Sequence, residues 1–189
     1  MEPLGENGRS SMMPNGLFGM AIFIVAELML FAGMISAFFI VKAAAPSWPP
    51  PGQPRLPIEA TALNSLVLLA SGFFLIQAHR AFHRGDRDSM RRPMLLALAL
   101  GSFFVIFQGS EWVALLGQGL TLTSSSLGSF FYLVVGVHGI HAAAALILLA
   151  IATVRLRRGY LSPGFFGAAE ALWFFVVGVW PVLYMVVYL

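Results

Sequence analysis

The sequence predicts an all-α integral membrane protein, a bundle of five transmembrane helices. Hydrophobic residues make up 59% of the 189-residue chain and charged residues only 10%, and the mean hydropathy is +0.85. A soluble domain usually carries about 25% charged residues. The chain also contains five apolar runs of roughly 20 residues or more, the length that crosses a hydrocarbon core of about 30 Å. These observations exclude an ordinary soluble fold.

The five runs cover most of the chain and predict a single domain over residues 1–189. The predicted spans lie at about residues 17–41, 61–82, 93–116, 127–154 and 165–189. The first run is long enough to span, and it lacks a basic flank followed by a small-residue cleavage site. We therefore expect it to remain in the mature protein rather than to act as a signal peptide.

Arginines cluster in two of the four connections between spans. They are Arg80, Arg84, Arg87, Arg91 and Arg92 between spans 2 and 3, and Arg155, Arg157 and Arg158 between spans 4 and 5. The positive-inside rule places both connections in the cytoplasm, with the amino terminus inside and the carboxyl terminus outside. We expect a multi-pass membrane protein. Since the basic residues serve as topology signals, we expect no nucleic-acid binding.

The connection after span 1, "AAAPSWPPPGQPRLP" at residues 43–57, is rich in proline. Proline cannot continue a helix and favours extended polyproline geometry. This segment is therefore predicted to be a stiff loop outside the membrane.

The sequence contains no cysteine. Disulfides, thiolate metal sites, iron–sulfur clusters and covalent c-type haem attachment are thereby excluded within it. Histidine is the main remaining candidate ligand for a redox metal.

Polar residues at membrane depth are costly and indicate packing or function. Gln108 and Glu111 on span 3, and His138 and His141 on span 4, are each three residues apart and share a helix face. A rise of about 1.5 Å per residue puts both faces in the outer half of the membrane. We predict a hydrogen-bonded cluster that joins spans 3 and 4.

Two alternatives make these histidines ligands. A non-haem metal bound by His138, His141 and Glu111 lacks a fourth ligand, so we predict no metal site. A small b-type cytochrome needs histidines on opposite faces of a haem, and two imidazoles three residues apart cannot provide them. The other histidines, His79 and His83, lie near the cytoplasmic end of span 2 and are interpreted as a hydrated helix end.

Glu27 is the one ionisable residue predicted at the middle of span 1. It is interpreted either as a carboxylic acid that contacts a neighbouring helix or as a group for proton handling or a lipid-lined cleft. The nearby small residues Ala26, Ala32, Gly33 and Ser36 would admit a helix or a lipid chain. Glu170, in the first turns of span 5, is interpreted as structural because a helix start favours a carboxylate.

Several stretches together resemble subunit III of the haem-copper cytochrome c oxidase family. They are "GMAIFIVAELMLFAGMISAFF", "ALNSLVLLASGF", "AHRAFHRGDRDSM", "LGSFFVIFQGSEW" and "GSFFYLVVGVHGIHA". The Gln108 to Glu111 spacing and the His-Gly-x-His motif are the most specific marks. The resemblance covers nearly the whole chain and implies a short, five-helix form of a subunit that has two more helices at its amino end in longer relatives.

The resemblance implies a subunit without catalytic residues or redox centre. It would pack on the catalytic subunit I among other respiratory-complex subunits, bind phospholipids, sustain proton uptake and protect the catalytic site during turnover. Haem and copper are expected in the partner subunits, and no cofactor in this chain. By position, Glu27 matches the family's intramembrane glutamate at a lipid cleft, and Arg155 matches a basic residue that meets a lipid headgroup.

The last span departs from the family pattern Trp-His-Phe-Val-Asp. Phe174 and Val177 stand at the histidine and aspartate positions, and Glu170 lies three residues after the usual glutamate position, here Gly167. A subunit of a quinol oxidase or of a nitric-oxide-reductase-associated complex is therefore an alternative.

From a different class, the alternative is a small proton-coupled transporter that uses Glu27, Glu111 and Glu170. These acids lie at different predicted depths, and no span is interrupted in the way that transporter helices are.

Overall fold

The computed structural model describes residues 15–189, and over this range it consists of five long helices and no strands. The helices are α1 (Asn15–Ala44), α2 (Ile58–His83), α3 (Arg87–Gly117), α4 (Ser126–Arg157) and α5 (Pro163–Tyr188). Each is long and apolar enough to cross a membrane. The predicted all-α fold with five spans is confirmed, and residues 45–57 of the proline-rich connector lie between α1 and α2, outside both helices.

Short polar side chains start three of the helices, and glycines follow the ends of three. The residues before α3, α4 and α5 accept hydrogen bonds from backbone N–H groups of the first turn, and they are Asp86, Ser125 and Ser162. Gly85, Gly119 and Gly159 follow α2, α3 and α4 with φ of 73°, 90° and 81°, a left-handed conformation that glycine adopts without steric cost. These local signals keep the connections α2–α3 and α4–α5 short.

The two arginine-bearing connections meet at one end of the bundle. Arg87 at the start of α3 donates a hydrogen bond of 2.8 Å to the carbonyl oxygen of Gly159, which follows α4. We call this the arginine-rich end. At the opposite end, the hydroxyl of Ser124 donates to Gln53 in the proline-rich connector at 3.4 Å.

Helix α5 occupies the centre of the bundle, and α1 lies at its edge. Helices α2 and α3 pack most extensively on each other, while α5 contacts α1, α2 and α4. Half of the apolar stretch of α5 is buried within the protein, against 11% of that of α1. Polar side chains on α5 can therefore reach most of the other helices, whereas much of α1 faces outward.

Helices α2, α3 and α5 pack closely because the large indole of Trp173 lies against small residues of α2 and α3. The indole N–H of Trp173 on α5 donates to Ser71 of α2 at 3.1 Å, and Ser71 donates to the carbonyl of Ala97 on α3 at 2.8 Å. The indole ring lies against Gly101, where an added Cβ would come within 2.5 Å of two ring carbons. Such small residues let membrane helices approach each other closely.

Replacing Gly101 with alanine should destabilise the subunit. The new methyl group would overlap the rigid indole of Trp173, and overpacking of this kind costs about 1–3 kcal/mol. Thermal unfolding in detergent measures the effect as a lower midpoint temperature. The matched control is Gly109→Ala on the same helix, where an added Cβ meets no atom within 4 Å. Equal midpoints for the two variants would contradict the packing.

Candidate functional site

A hydrogen-bonded network at the end of the bundle opposite the arginine-rich end ties α2, α3 and α5 together. The side-chain amide of Gln108 donates to Glu111 and to the hydroxyl of Tyr188, each at 3.1 Å. Thr61 also donates to Glu111, at 3.0 Å, and Asn64 donates to Gln108 at 3.4 Å. We call these five residues the outer network. Gln108 holds the network together, because it bonds to Asn64 of α2, Glu111 of α3 and Tyr188 of α5.

A second polar contact joins α1 to α4. The Nε2 atom of His141 lies 3.1 Å from a carboxyl oxygen of Glu27, and the two side chains are only 14% and 16% exposed. This is ion-pair distance, although the alignment does not meet the geometry of a hydrogen bond. Three phenylalanine rings lie about the imidazole with centroid distances of 5.8–6.1 Å: Phe23, Phe31 and Phe175.

The backbone fixes which nitrogen of His141 faces Glu27. Its Nδ1 lies 2.8 Å from the carbonyl oxygen of Val137, and a carbonyl oxygen can only accept, so Nδ1 carries a proton. In a neutral ring, Nε2 is then the nitrogen without a hydrogen, and it lies 3.1 Å from a carboxyl oxygen of Glu27. The contact therefore brings two groups that can each bind a proton next to each other between α1 and α4.

His138, one turn before His141, has a different environment. It is 1% exposed, and neither ring nitrogen has a hydrogen-bond partner within residues 15–189. Its ring packs on Trp180 of α5, with centroids 5.1 Å apart. His138 and Gln108 both line a cavity of about 180 Å³ between the helices.

The structure corrects the predicted pairing of spans 3 and 4. Gln108 and Glu111 bond to α2 and α5, and His141 contacts Glu27 on α1. In the part of the chain that the structure describes, no hydrogen bond links either of them to His138 or His141. The prediction placed these groups at a common depth, but depth does not specify which way a helix is rotated about its axis. Here α3 turns its polar face mainly toward its hairpin partner α2.

A third contact, between His79 and Glu170, was not predicted. His79 near the end of α2 places Nδ1 at 2.7 Å from one carboxyl oxygen of Glu170 on α5 and at 3.0 Å from the other. Glu170 is buried, at 8% exposed. The available signal was that the end of span 2 and the start of span 5 lie on the same side of the membrane, which brings both residues to a similar depth.

Arg155 lies near the end of α4, at the arginine-rich end. Its guanidinium carbon lies 4.0 Å from the ring centroid of Phe165 on α5. Within the described range, its side chain donates no hydrogen bond to the protein, so its N–H groups remain available to an anion. Stacking on an aromatic face leaves the in-plane donors of the guanidinium free to bind phosphate oxygens.

Residues 15–189 include no group of three or more histidine, cysteine, aspartate and glutamate side chains that could hold a metal ion. The arrangement described above consists of polar contacts between helices.

Replacing Gln108 with leucine should destabilise the bundle by about 1–3 kcal/mol, because buried polar partners lose their hydrogen bonds. Those partners are Asn64, Glu111 and Tyr188. Thermal unfolding in detergent again provides the measurement. Ser110→Ala is the control, because Ser110 is exposed and bonds only to a carbonyl of its own helix. If the leucine variant unfolds at the same temperature as the alanine variant, the outer network contributes nothing to stability.

Comparison with known proteins agrees with this architecture. The family model described as cytochrome c oxidase subunit III matches residues 6–189. A protein of Synechocystis sp. named cytochrome c oxidase subunit 3 is 33% identical over 177 residues, which cover 92% of this chain and 75% of that protein. Proteins of the same name from Sus scrofa and Rattus norvegicus are each 34% identical, with 97% and 90% of this chain and 73% and 68% of theirs covered. This chain therefore belongs to the cytochrome c oxidase subunit III family.

Proposed function

We propose that this chain is a non-catalytic accessory subunit of a haem-copper terminal oxidase in aerobic respiratory electron transport. The family match over residues 6–189 is the observation that carries the proposal. In this role the chain packs on the catalytic subunit I, and the partner subunits hold the haem and copper. The polar pairs described above supply helix contacts and no set of redox ligands, which is consistent with an accessory role.

We further propose that the chain is a multi-pass protein of the bacterial inner membrane, with the arginine-rich end in the cytoplasm. The hydrogen bond from Arg87 to Gly159 supports this orientation, because it brings both arginine-bearing connections to one side. A common side is what the positive-inside rule requires of short cytoplasmic loops. The proline-rich connector then lies outside.

A groove between α1 and α5 supports phospholipid binding. It has a volume of about 400 Å³ and an almost entirely apolar lining that includes Ile24, Leu28, Phe31 and Ile35 of α1. Glu27 lies three residues after Ile24 and four before Phe31, so it borders the groove on the same side of the helix. The groove would take a lipid acyl chain, with Glu27 at its margin.

Arg155 is the proposed contact for the lipid headgroup. It lies at the arginine-rich end, and its guanidinium stacks on Phe165. A stacked guanidinium is held in a fixed plane and can bind a phosphate through two parallel hydrogen bonds. The headgroup would therefore lie at the cytoplasmic surface of the membrane.

The Glu27–His141 pair is the proposed proton-related group. A carboxyl group and an imidazole can each bind a proton, and here they lie 3.1 Å apart within the bundle. This supports a role in sustaining proton uptake by the complex during turnover, rather than transport by the chain itself.

The arrangement of the acids weakens the alternative of a proton-coupled transporter. Glu27 contacts His141, Glu111 belongs to the outer network, and Glu170 contacts His79. Each acid is held by its own partner on a different helix. Over residues 15–189, these acids form no continuous line along which protons could pass between the two ends of the bundle.

Purification from native membranes tests the proposed function. Under mild detergent, we expect an affinity-tagged chain to bring with it a haem-containing catalytic subunit, which absorption spectra and mass spectrometry would identify. Recovery of the intact chain without haem-containing partners would contradict the proposal.

Glu27→Gln should leave assembly of the complex intact but lower its bound phospholipid and shorten the time over which it sustains oxygen consumption. An amide keeps the size of the side chain but cannot share a proton with His141. We expect less bound phospholipid and a several-fold faster decline of oxygen consumption during sustained turnover, measured by lipid analysis and respirometry.

The matched control is Glu59→Gln, since Glu59 is an exposed carboxylate paired with Arg55 at the other end of the membrane. This variant should behave like the unmodified complex. Unchanged lipid content together with unchanged durability in Glu27→Gln would rule out the roles assigned to Glu27.

A further inference from the structure

The end of α2 carries two histidines that the proposed function does not use. His79 and His83 are four residues apart in "HRAFH", a spacing that places side chains on one face of a helix. Their ring centroids lie 4.3 Å apart with the ring planes at 58°. Two imidazoles at this spacing on one helix can share a zinc ion, as in the His-x-x-x-His part of zinc protease helices.

Glu170 orients the first of the two rings. Its carboxyl oxygens lie 2.7 and 3.0 Å from Nδ1 of His79. An ionised carboxylate only accepts hydrogen bonds, so Nδ1 donates and Nε2 becomes the coordinating nitrogen. Metal-binding histidines commonly donate their other N–H to a carboxylate in this way, which fixes the tautomer and makes the ligand more basic.

The free nitrogens are accessible. Nε2 of His79 and both nitrogens of His83 have no hydrogen-bond partner within residues 15–189, and His83 is exposed while the side chain of His79 is 42% exposed. A metal ion arriving from water could reach both rings, and water could complete its coordination. The buried carboxylate of Glu170 lies beside His79 and would offset part of the ion's positive charge.

We propose that His79 and His83 form a binding site for a first-row divalent transition-metal ion such as Zn²⁺, with Glu170 as a positioning residue. Imidazole nitrogen suits zinc, copper and nickel, whereas magnesium and calcium require oxygen ligands. An ion bound here is held by α2 and, through the carboxylate, is coupled to α5. Occupancy therefore links the two helices at the arginine-rich end.

Residue-resolved chemical labelling of the purified complex tests the site. Diethyl pyrocarbonate acylates accessible imidazole nitrogens, and metal coordination blocks the reaction. We expect Zn²⁺ to suppress labelling of His79 and His83 over the same range of ion concentration, chelator to restore it, and Mg²⁺ to have no effect. The buried His138 serves as an internal reference. Labelling of His83 that does not change with Zn²⁺ would overturn the proposal without any variant.

Two variants test the roles of the individual residues. His79→Asn should abolish protection of His83 if both rings bind one ion, and retained protection would overturn the shared site. Glu170→Gln should raise the Zn²⁺ concentration for half protection by roughly 10–100-fold, the usual effect of removing such a carboxylate. An unchanged value would overturn its positioning role. Glu59→Gln, remote from the site, should match the unmodified complex.

Discussion

The hydrocarbon interior of a membrane supplies no water to polar side chains, so such groups must find partners within the protein. Helix α5 provides or borders many of them here, because it is central and contacts α1, α2 and α4. Its residues Glu170, Trp173, Trp180 and Tyr188 each bond to a side chain of another helix. These bonds fix the position of α5, and with it the groove beside α1 and the pairs at both ends of the bundle.

The same constraint explains why the polar residues within the bundle are paired between helices. Each carboxylate there is held by a specific neighbour: Glu27 by His141, Glu111 by Thr61 and Gln108, and Glu170 by His79. A group bound in this way is oriented and shielded. The outward-facing helix α1, in contrast, leaves an apolar groove open beside α5.

The structure shows what surrounds the residues at which the last span differs from the family pattern. Phe174 and Val177 are apolar where the family has histidine and aspartate, and Val177 packs beside Gly72 of α2, where an added Cβ would lie 3.1 Å from it. The acid of this helix instead lies at Glu170, nearer the arginine-rich end, where His79 contacts it. The polar contact of α5 with α2 at this end therefore involves a histidine of α2 whose side chain is 42% exposed.

Hydropathy and composition alone determined the fold class, the five spans and the clustering of arginines, because each depends on local chain properties. The sequence also identified Glu27, Gln108, Glu111, His138 and His141 as unusual for their depth. Which of these residues meet was decided only by tertiary structure, since rotating a helix about its axis leaves its hydropathy and depth unchanged but alters every partner. For that reason His141 contacts Glu27 on α1, Gln108 contacts α2 and α5, and the pairing of His79 with Glu170 could be recognised only once α2 and α5 were side by side.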